Sequence, residues 1–218
     1  MSDYRTYFVA GPENILSNHQ IGNENKDQTL VRIVKELAVN GLNVFLLRAK
    51  NLDDNNIIKL LEDLRLAIHK TNTKLCINDN VSVASKVGDI IDILHLGQSD
   101  MNPVKAKSII DHNIEIGLSI TNENQLDNIP DCVDYIGVGP IYKTNSKDDA
   151  SEPLGENSLK NILMKTNIPV IAIGGISNIK VNKLFKLGVS GVAVISNILN
   201  DKNHLQNFLL LKKQIYKD

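Results

Sequence analysis

Three groups of residues in this 218-residue chain have the types and spacing to handle phosphate. The first lies in Asp134-Tyr-Ile-Gly-Val-Gly-Pro-Ile-Tyr-Lys-Thr-Asn-Ser-Lys147, where an apolar strand, Val133 to Val138, runs into a polar loop instead of a helix. Gly137 and Gly139 let a backbone or ligand approach closely. Thr144 and Ser146 bring hydroxyl donors, and Lys147 brings a compact positive charge suited to phosphate or a departing diphosphate. Alone, this run reads equally well as a solvated surface loop. The second group joins Arg48 and Lys50 to Asp79 and Asp100. Two carboxylates beside cations suit one Mg2+, which accepts one or two carboxylates and completes its shell with water and phosphate oxygens. Taken singly, each aspartate serves equally as a helix cap, Asp79 for the helix near residue 80 and Asp100 for the one near Pro103. The third group is Gly174-Gly-Ile-Ser177, where glycine exposes backbone N–H groups and Ser177 can cap the following helix, whose positive end favours an anion.

The elements that must position these groups form a repeat: a short β-rich strand, a polar or glycine turn, then an amphipathic helix. Strands are expected at Arg5 to Val9, Val44 to Leu47, Lys74 to Ile77, Ile93 to Leu96, Ile114 to Ser119, Val133 to Val138, Val170 to Ile173 and Val192 to Ile195. Leu30, Ile33, Val34 and Leu37 mark one helix, and Ile57, Ile58, Leu60, Leu61, Leu64 and Ile68 another. Further helices are expected near 80–87, 103–111, 122–128, 157–166, 177–187 and 203–216. The strands are nearly continuous in Val, Ile and Leu, as parallel strands covered on both faces should be. Alternation of this kind specifies an α/β protein, and eight repeats favour closure into a (β/α)8 TIM barrel. Such barrels occur from about 200 residues upward, so a single domain over 1–218 with short loops is expected. The polar, Asn-rich segment 11–28 is the exception, reading either as a mobile loop over the barrel mouth or as disorder.

In this fold the active site gathers at the C-terminal ends of the strands. Arg48-Ala-Lys50, Asn78-Asp-Asn80, Gly97-Gln-Ser-Asp100, Ser119-Ile-Thr121, the loop after Val138, Gly174 to Ser177 and Ile195-Ser-Asn197 would therefore share one mouth. Two phosphate-binding regions across it imply two phosphorylated small-molecule substrates, with diphosphate as the leaving group. No Ser-His-Asp set, reactive cysteine or pair of general-acid carboxylates occurs at these ends, so covalent and hydrolytic schemes are not indicated. Electrostatic stabilisation of departing diphosphate is what the residues can supply.

Composition agrees with this picture. Lys and Arg total 24 against 25 Asp and Glu, a formal charge of -1, so no broad basic field invites nucleic acid. Hydrophobic residues at 42% support a core, and no apolar run approaches a membrane span. A soluble cytoplasmic protein without a membrane partner is expected; the oligomeric state is not legible. Cys76 and Cys132 read as buried packing residues. His95 falls in a strand and is expected in the barrel wall, while His19, His69, His112 and His204 read as helix or loop surface; none is assigned to catalysis.

The chain resembles the thiamine phosphate synthase family from its first strand to Ile198. The pieces that carry the likeness are Leu47-Arg-Ala-Lys50, Ile77-Asn-Asp-Asn-Val81, His95-Leu-Gly-Gln-Ser-Asp100, Gly117-Leu-Ser119, Asp134 through Lys147, Pro169-Val-Ile-Ala-Ile-Gly-Gly-Ile176 and Gly191-Val-Ala-Val-Ile-Ser196. The resemblance implies a transferase that couples hydroxymethylpyrimidine diphosphate to thiazole phosphate with Mg2+, releasing diphosphate. It implies that Arg48, Lys50, Asn78, Ser119 and Lys147 contact the pyrimidine diphosphate, with Lys147, Arg48 and Ser119 as the catalytic set, and that Asp79 and Asp100 bind the metal. Thr144, Asn145, Ser146, Gly175, Ile195 and Ser196 would surround the thiazole phosphate. The family's second strand usually ends Gln-Leu-Arg-Glu-Lys, where this chain has Leu46-Leu-Arg-Ala-Lys50. Leu46 and Ala49 thus keep open a non-catalytic binder of thiamine precursors, beside a thiazole tautomerase-like relative; Asp79, Asp100 and Lys147 argue against the latter.

Overall fold

The structure, a computed structural model, describes residues 2–144 and 152–217. Eight parallel strands close into a barrel in chain order: β1 Thr6–Ala10, β2 Val44–Leu47, β3 Lys74–Asn78, β4 Ile93–Leu96, β5 Glu115–Ile120, β6 Tyr135–Val138, β7 Val170–Ile173 and β8 Gly191–Val194. Closure runs through Thr6 opposite Val192, Tyr7 opposite Ala193 and Phe8 opposite Val194. The surrounding helices are α1 Lys26–Val39, α2 Asp54–Ile68, α3 Val81–Lys86, α4 Pro103–Lys107, α5 Gly155–Lys165, α6 Asn178–Leu187, the short α7 Ser196–Leu199 and α8 His204–Ile215. Between β5 and β6 the expected helix is a 3-10 segment, Glu123–Asn128, with no buried residue to anchor it. Among the described residues no helix is long and apolar enough to cross a membrane.

Strand alternation sorts the side chains into two cores. Phe8, Phe45, Leu75, Leu94, Ile116, Ile136, Ala172 and Val192 face the helices and join Leu30, Leu61 and Phe208. Tyr7, Val9, Leu46, Cys76, Ile93, Tyr135, Ile171 and Ala193 fill the barrel itself. At the N-terminal end, Glu115 accepts from Tyr4 (2.9 Å) and pairs with Lys74 (2.6 Å), so the barrel floor is closed by bonded polar groups.

Residues 11–25 carry two 3-10 turns, Pro12–Asn14 and Ser17–His19, before α1 begins under an Asn25 cap. Here two expectations change. His19 is 2% exposed and His204 4%, so neither lies on the surface; their rings meet edge to face at 4.9 Å and bind the β1–α1 segment to the start of α8. The Nδ1 of His19 accepts from the Leu16 N–H at 3.1 Å, while Arg32 donates to the His19 carbonyl at 2.7 Å. Cys132, expected in the buried core, is half-buried because β6 begins only at Tyr135. Cys76 is fully buried, and His69 and His112 are exposed, as expected.

Burial drives both histidines toward the neutral form, assisted at His204 by His19 and Arg32, and brings His204 down to about 4 from an ordinary 6.5. The unfolded chain therefore binds protons that the folded chain refuses. This stability is complete above pH 6.5 and lost as pH falls toward 4. Between pH 7 and pH 5 the urea unfolding free energy should fall by about 1–2 kcal/mol, before most carboxylates titrate. The decline should flatten in His204→Phe; an unchanged slope would show that the pair is not its source.

Candidate active site

Each strand end holds its functional residue by a local backbone device. After β2, the Arg48 N–H donates to the Ala10 carbonyl at 3.0 Å. A Cβ at position 11 would stand 2.1 Å from the Arg48 carbonyl oxygen, so Gly11 is required for this close approach. After β3, Asp79 is the only non-glycine residue with positive φ among the described residues (+63°), and its N–H reaches the His95 carbonyl at 2.8 Å. Aspartate tolerates this left-handed conformation better than most side chains, yet it remains strained, and such outliers cluster at functional sites.

The capping alternatives for the two aspartates pass to neighbouring asparagines. Asn80 caps α3, accepting from the Val83 N–H at 2.9 Å, and Asn102 caps α4, accepting from the Val104 N–H at 2.9 Å. Asp100 instead folds back so that Oδ2 accepts from the Gly97 N–H at 2.7 Å. A Cβ on residue 97 would lie 2.8 Å from that oxygen, which explains a glycine there.

Ser119, at the end of β5, stands over a buried hydrogen-bonded chain. Its Oγ lies 2.9 Å from His95 Nε2; His95 Nδ1 lies 2.8 Å from the Tyr135 hydroxyl, which lies 2.7 Å from that of Tyr7. The ring of Tyr135 crosses β5 where Gly117 has no Cβ; one would fall 2.2 Å from Tyr135 Cζ. His95 is thus in the barrel wall as expected, and it meets a site residue, which its sequence neighbours did not signal. The Ser119–His95 pair is not a nucleophilic triad, because a tyrosine stands where the carboxylate belongs. Burial raises the Tyr135 pKa well above its ordinary value, so that hydroxyl stays neutral and lacks the charge with which a carboxylate stabilises an imidazolium.

The loops after β6 and β7 are stapled together. The Ile141 N–H donates to the Ile173 carbonyl (2.9 Å) and the Tyr142 N–H to that of Gly174 (3.1 Å). Gly174 and Gly175 have φ of +97° and +63°, and a Cβ on Gly175 would meet the Lys143 carbonyl oxygen at 2.5 Å. The glycine pair therefore provides both the turn and the close contact. Ser177 occupies the N-cap position of α6 but makes no side-chain cap bond, against expectation. After β8, α7 begins at Ser196, giving the short extra helix that often completes a phosphate pocket in this fold.

All these ends open into one cavity of about 340 Å³, a volume suited to small ligands. Arg48, Lys50, Asn78, Asp79, Asp100, Ser119, Thr144, Gly175, Ile195 and Ser196 all line it. Asn145, Ser146 and Lys147 lie outside the described residues. Ser99, Thr121 and Asn197 also line it without having been assigned a role; each sits in a strand-end tripeptide or tetrapeptide already singled out, which was the available signal. Leu46 is buried beneath the mouth, where it lines a smaller cavity with Tyr7, Asn78, His95 and Tyr135. Ala49 packs toward the helix-side core and lines an adjoining pocket with Arg48, Lys50, Asn78 and Asp79.

Among the described residues no three His, Cys, Asp or Glu side chains gather as a metal cluster. Asp79 and Asp100 both line the cavity and offer it two carboxylates, an all-oxygen donor set. That donor set fits Mg2+ and not a closed, all-protein cage.

The family model described as thiamine monophosphate synthase matches residues 18–198. The thiamine-phosphate synthase of Lactococcus lactis subsp. lactis is 31% identical over 217 residues, covering 98% of this chain and 97% of that protein. The thiamine-phosphate synthase of Vibrio campbellii is 35% identical over 201 residues, covering 91% of each. Among solved structures, the thiamine phosphate pyrophosphorylase of Pyrococcus furiosus superimposes with a TM-score of 0.82 at 25% identity, covering 98% of this chain and 96% of that one.

Proposed function

The chain belongs to the thiamine monophosphate synthase family, and from that premise we propose how its residues divide the work. The protein catalyses the thiamine-phosphate synthase reaction, joining hydroxymethylpyrimidine diphosphate to thiazole phosphate and releasing diphosphate. One observation supports the residue roles above the rest: every described residue of the expected set lines the same cavity.

Arg48, Lys50, Asn78 and Ser119, at the ends of β2, β3 and β5, bind the diphosphate, and Lys147 is assigned to the same group. Asp79 and Asp100 would hold Mg2+, which when bound would supply positive charge to the departing diphosphate. Thr144, Gly175, Ile195 and Ser196, on the loops after β6, β7 and β8, receive the thiazole phosphate, and Asn145 and Ser146 are assigned to the same group. As the bond to diphosphate lengthens, negative charge grows on the leaving oxygen. Arg48, Lys50 and Lys147 are of the right sign to stabilise that charge more than the ground state, which is the condition for raising kcat. Ser119, as a hydroxyl donor backed by His95, fixes the leaving group's orientation. Thiazole phosphate held by backbone N–H groups across the cavity turns a bimolecular attack into a positioned one.

The test is direct: purified protein, Mg2+ and both substrates, with thiamine phosphate and diphosphate followed together. Equimolar appearance of the two is the expected result. Tight binding of both substrates with no product would replace this reading with the non-catalytic one.

A further inference from the structure

We propose that Lys180, outside the cavity lining, is a positioning residue that aims the phosphate-binding backbone. The inference rests on the assignment of Gly175 to the thiazole phosphate. Lys180 lies in the first turn of α6 and its Nζ donates to the Gly175 carbonyl at 3.1 Å. The same ammonium sits 3.8 Å from the centroid of the Tyr142 ring, a cation–π contact that fixes its place. Tyr142 is itself anchored, donating from its hydroxyl to Glu156 Oε1 at 2.8 Å, while Glu156 is held from the other side by Lys183. Three elements, the loop after β6 and helices α5 and α6, thereby converge on one carbonyl.

The consequence follows from peptide geometry. A trans peptide is planar, with its C=O and N–H pointing in opposite directions. Holding the Gly175 carbonyl toward Lys180 turns the Ile176 N–H the other way, and both residues border the cavity. Gly175 at φ +63° is free to rotate into several arrangements that other residues cannot adopt, so its peptide needs an external tie to stay aimed. Lys180 is that tie, and its charge adds to the positive end of α6. It touches neither substrate.

A positioning role for one phosphate predicts a split that a general loss of structure would not produce. In Lys180→Met, the KM for thiazole phosphate should rise about tenfold, in line with losing a charge-assisted hydrogen bond that organises the site. The KM for pyrimidine diphosphate and kcat should stay within about twofold. Inorganic phosphate, used as a competitive inhibitor against thiazole phosphate, should weaken by the same factor. Lys180→Arg, which keeps a charged donor, should recover most of the loss, and Lys180→Gln, which keeps only a neutral donor, should fall between. An unchanged thiazole phosphate KM overturns the inference, as does a parallel rise in both KM values with a fall in melting temperature. Failure of the underlying assignment looks different: Ser196→Ala, which alters the same assigned pocket, would then leave the KM for thiazole phosphate unchanged.

Discussion

Asp79→Asn is expected to leave the barrel folded and to reduce turnover by about two to three orders of magnitude, comparable to removing one principal electrostatic element from an active site. The two properties separate because they depend on different features of the side chain. The fold needs a residue that accepts φ of +63°, and Asn does so as readily as Asp. The metal needs a carboxylate, and an amide is neutral. Asp79→Ala removes both, and should add a stability loss of about 1–2 kcal/mol, or a few degrees of melting temperature. Binding of inorganic diphosphate followed by calorimetry supplies a readout apart from activity: its dependence on Mg2+ should be present in the unsubstituted protein and absent in Asp79→Asn. Ordinary turnover in Asp79→Asn would remove Asp79 from the metal site. Asp100→Asn should lose turnover similarly but keep its turn, because the amide oxygen can still accept from the Gly97 N–H.

The strain at Asp79 could not be read from the sequence, where capping was as good a reading as metal binding for each aspartate taken singly and the metal was favoured only for the pair beside Arg48, Lys50 and Lys147. Asn78-Asp-Asn80 is three residues of types that cap helices well, and Asn102 stands two positions from Asp100. In the fold the capping falls to Asn80 and Asn102, and the carboxylates are left at the cavity. The strands themselves were legible because eight short Val, Ile and Leu runs, separated by helical periods, admit few topologies. Five of the eight shifted by one or two residues at their ends, and Cys132 lies three residues before β6 begins. The histidine pair was hidden for another reason. His19 lies in a run of polar residues whose composition signals exposure, and its burial comes from a partner 185 positions away, His19 against His204. Contacts of that separation leave no local pattern. The stapling of the β6 and β7 loops was half visible: two adjacent glycines announced a turn, but not that the Lys143 carbonyl passes within reach of the absent Cβ.

Arg48→Met should reduce kcat/KM by about two to three orders of magnitude, and Arg48→Lys by about one to two, although the charge is kept. The guanidinium is a planar fork that can pair two oxygens of one phosphate, whereas an ammonium is a point charge on a longer-ranging stem. If only net charge at the mouth mattered, Lys would restore activity, and full rescue by Arg48→Lys would refute a positioning role for the fork. The backbone supplies a second way to ask the same question. Gly11 has an extended backbone that alanine can adopt, with φ of -131°, so Gly11→Ala imposes no conformational strain of its own. Its new Cβ would meet the Arg48 carbonyl oxygen and must push the end of β2 aside. Gly11→Ala should therefore resemble Arg48→Lys in losing turnover while retaining the charge. Misplacement by about 1 Å is enough to cost on the order of a hundredfold where catalysis depends on alignment. Combining Gly11→Ala with Arg48→Met tests whether both act through one group: the double variant should be scarcely worse than Arg48→Met alone, since displacing a side chain that is already missing has little left to remove. Losses that multiply would instead mean that Gly11 supports the site through something other than Arg48.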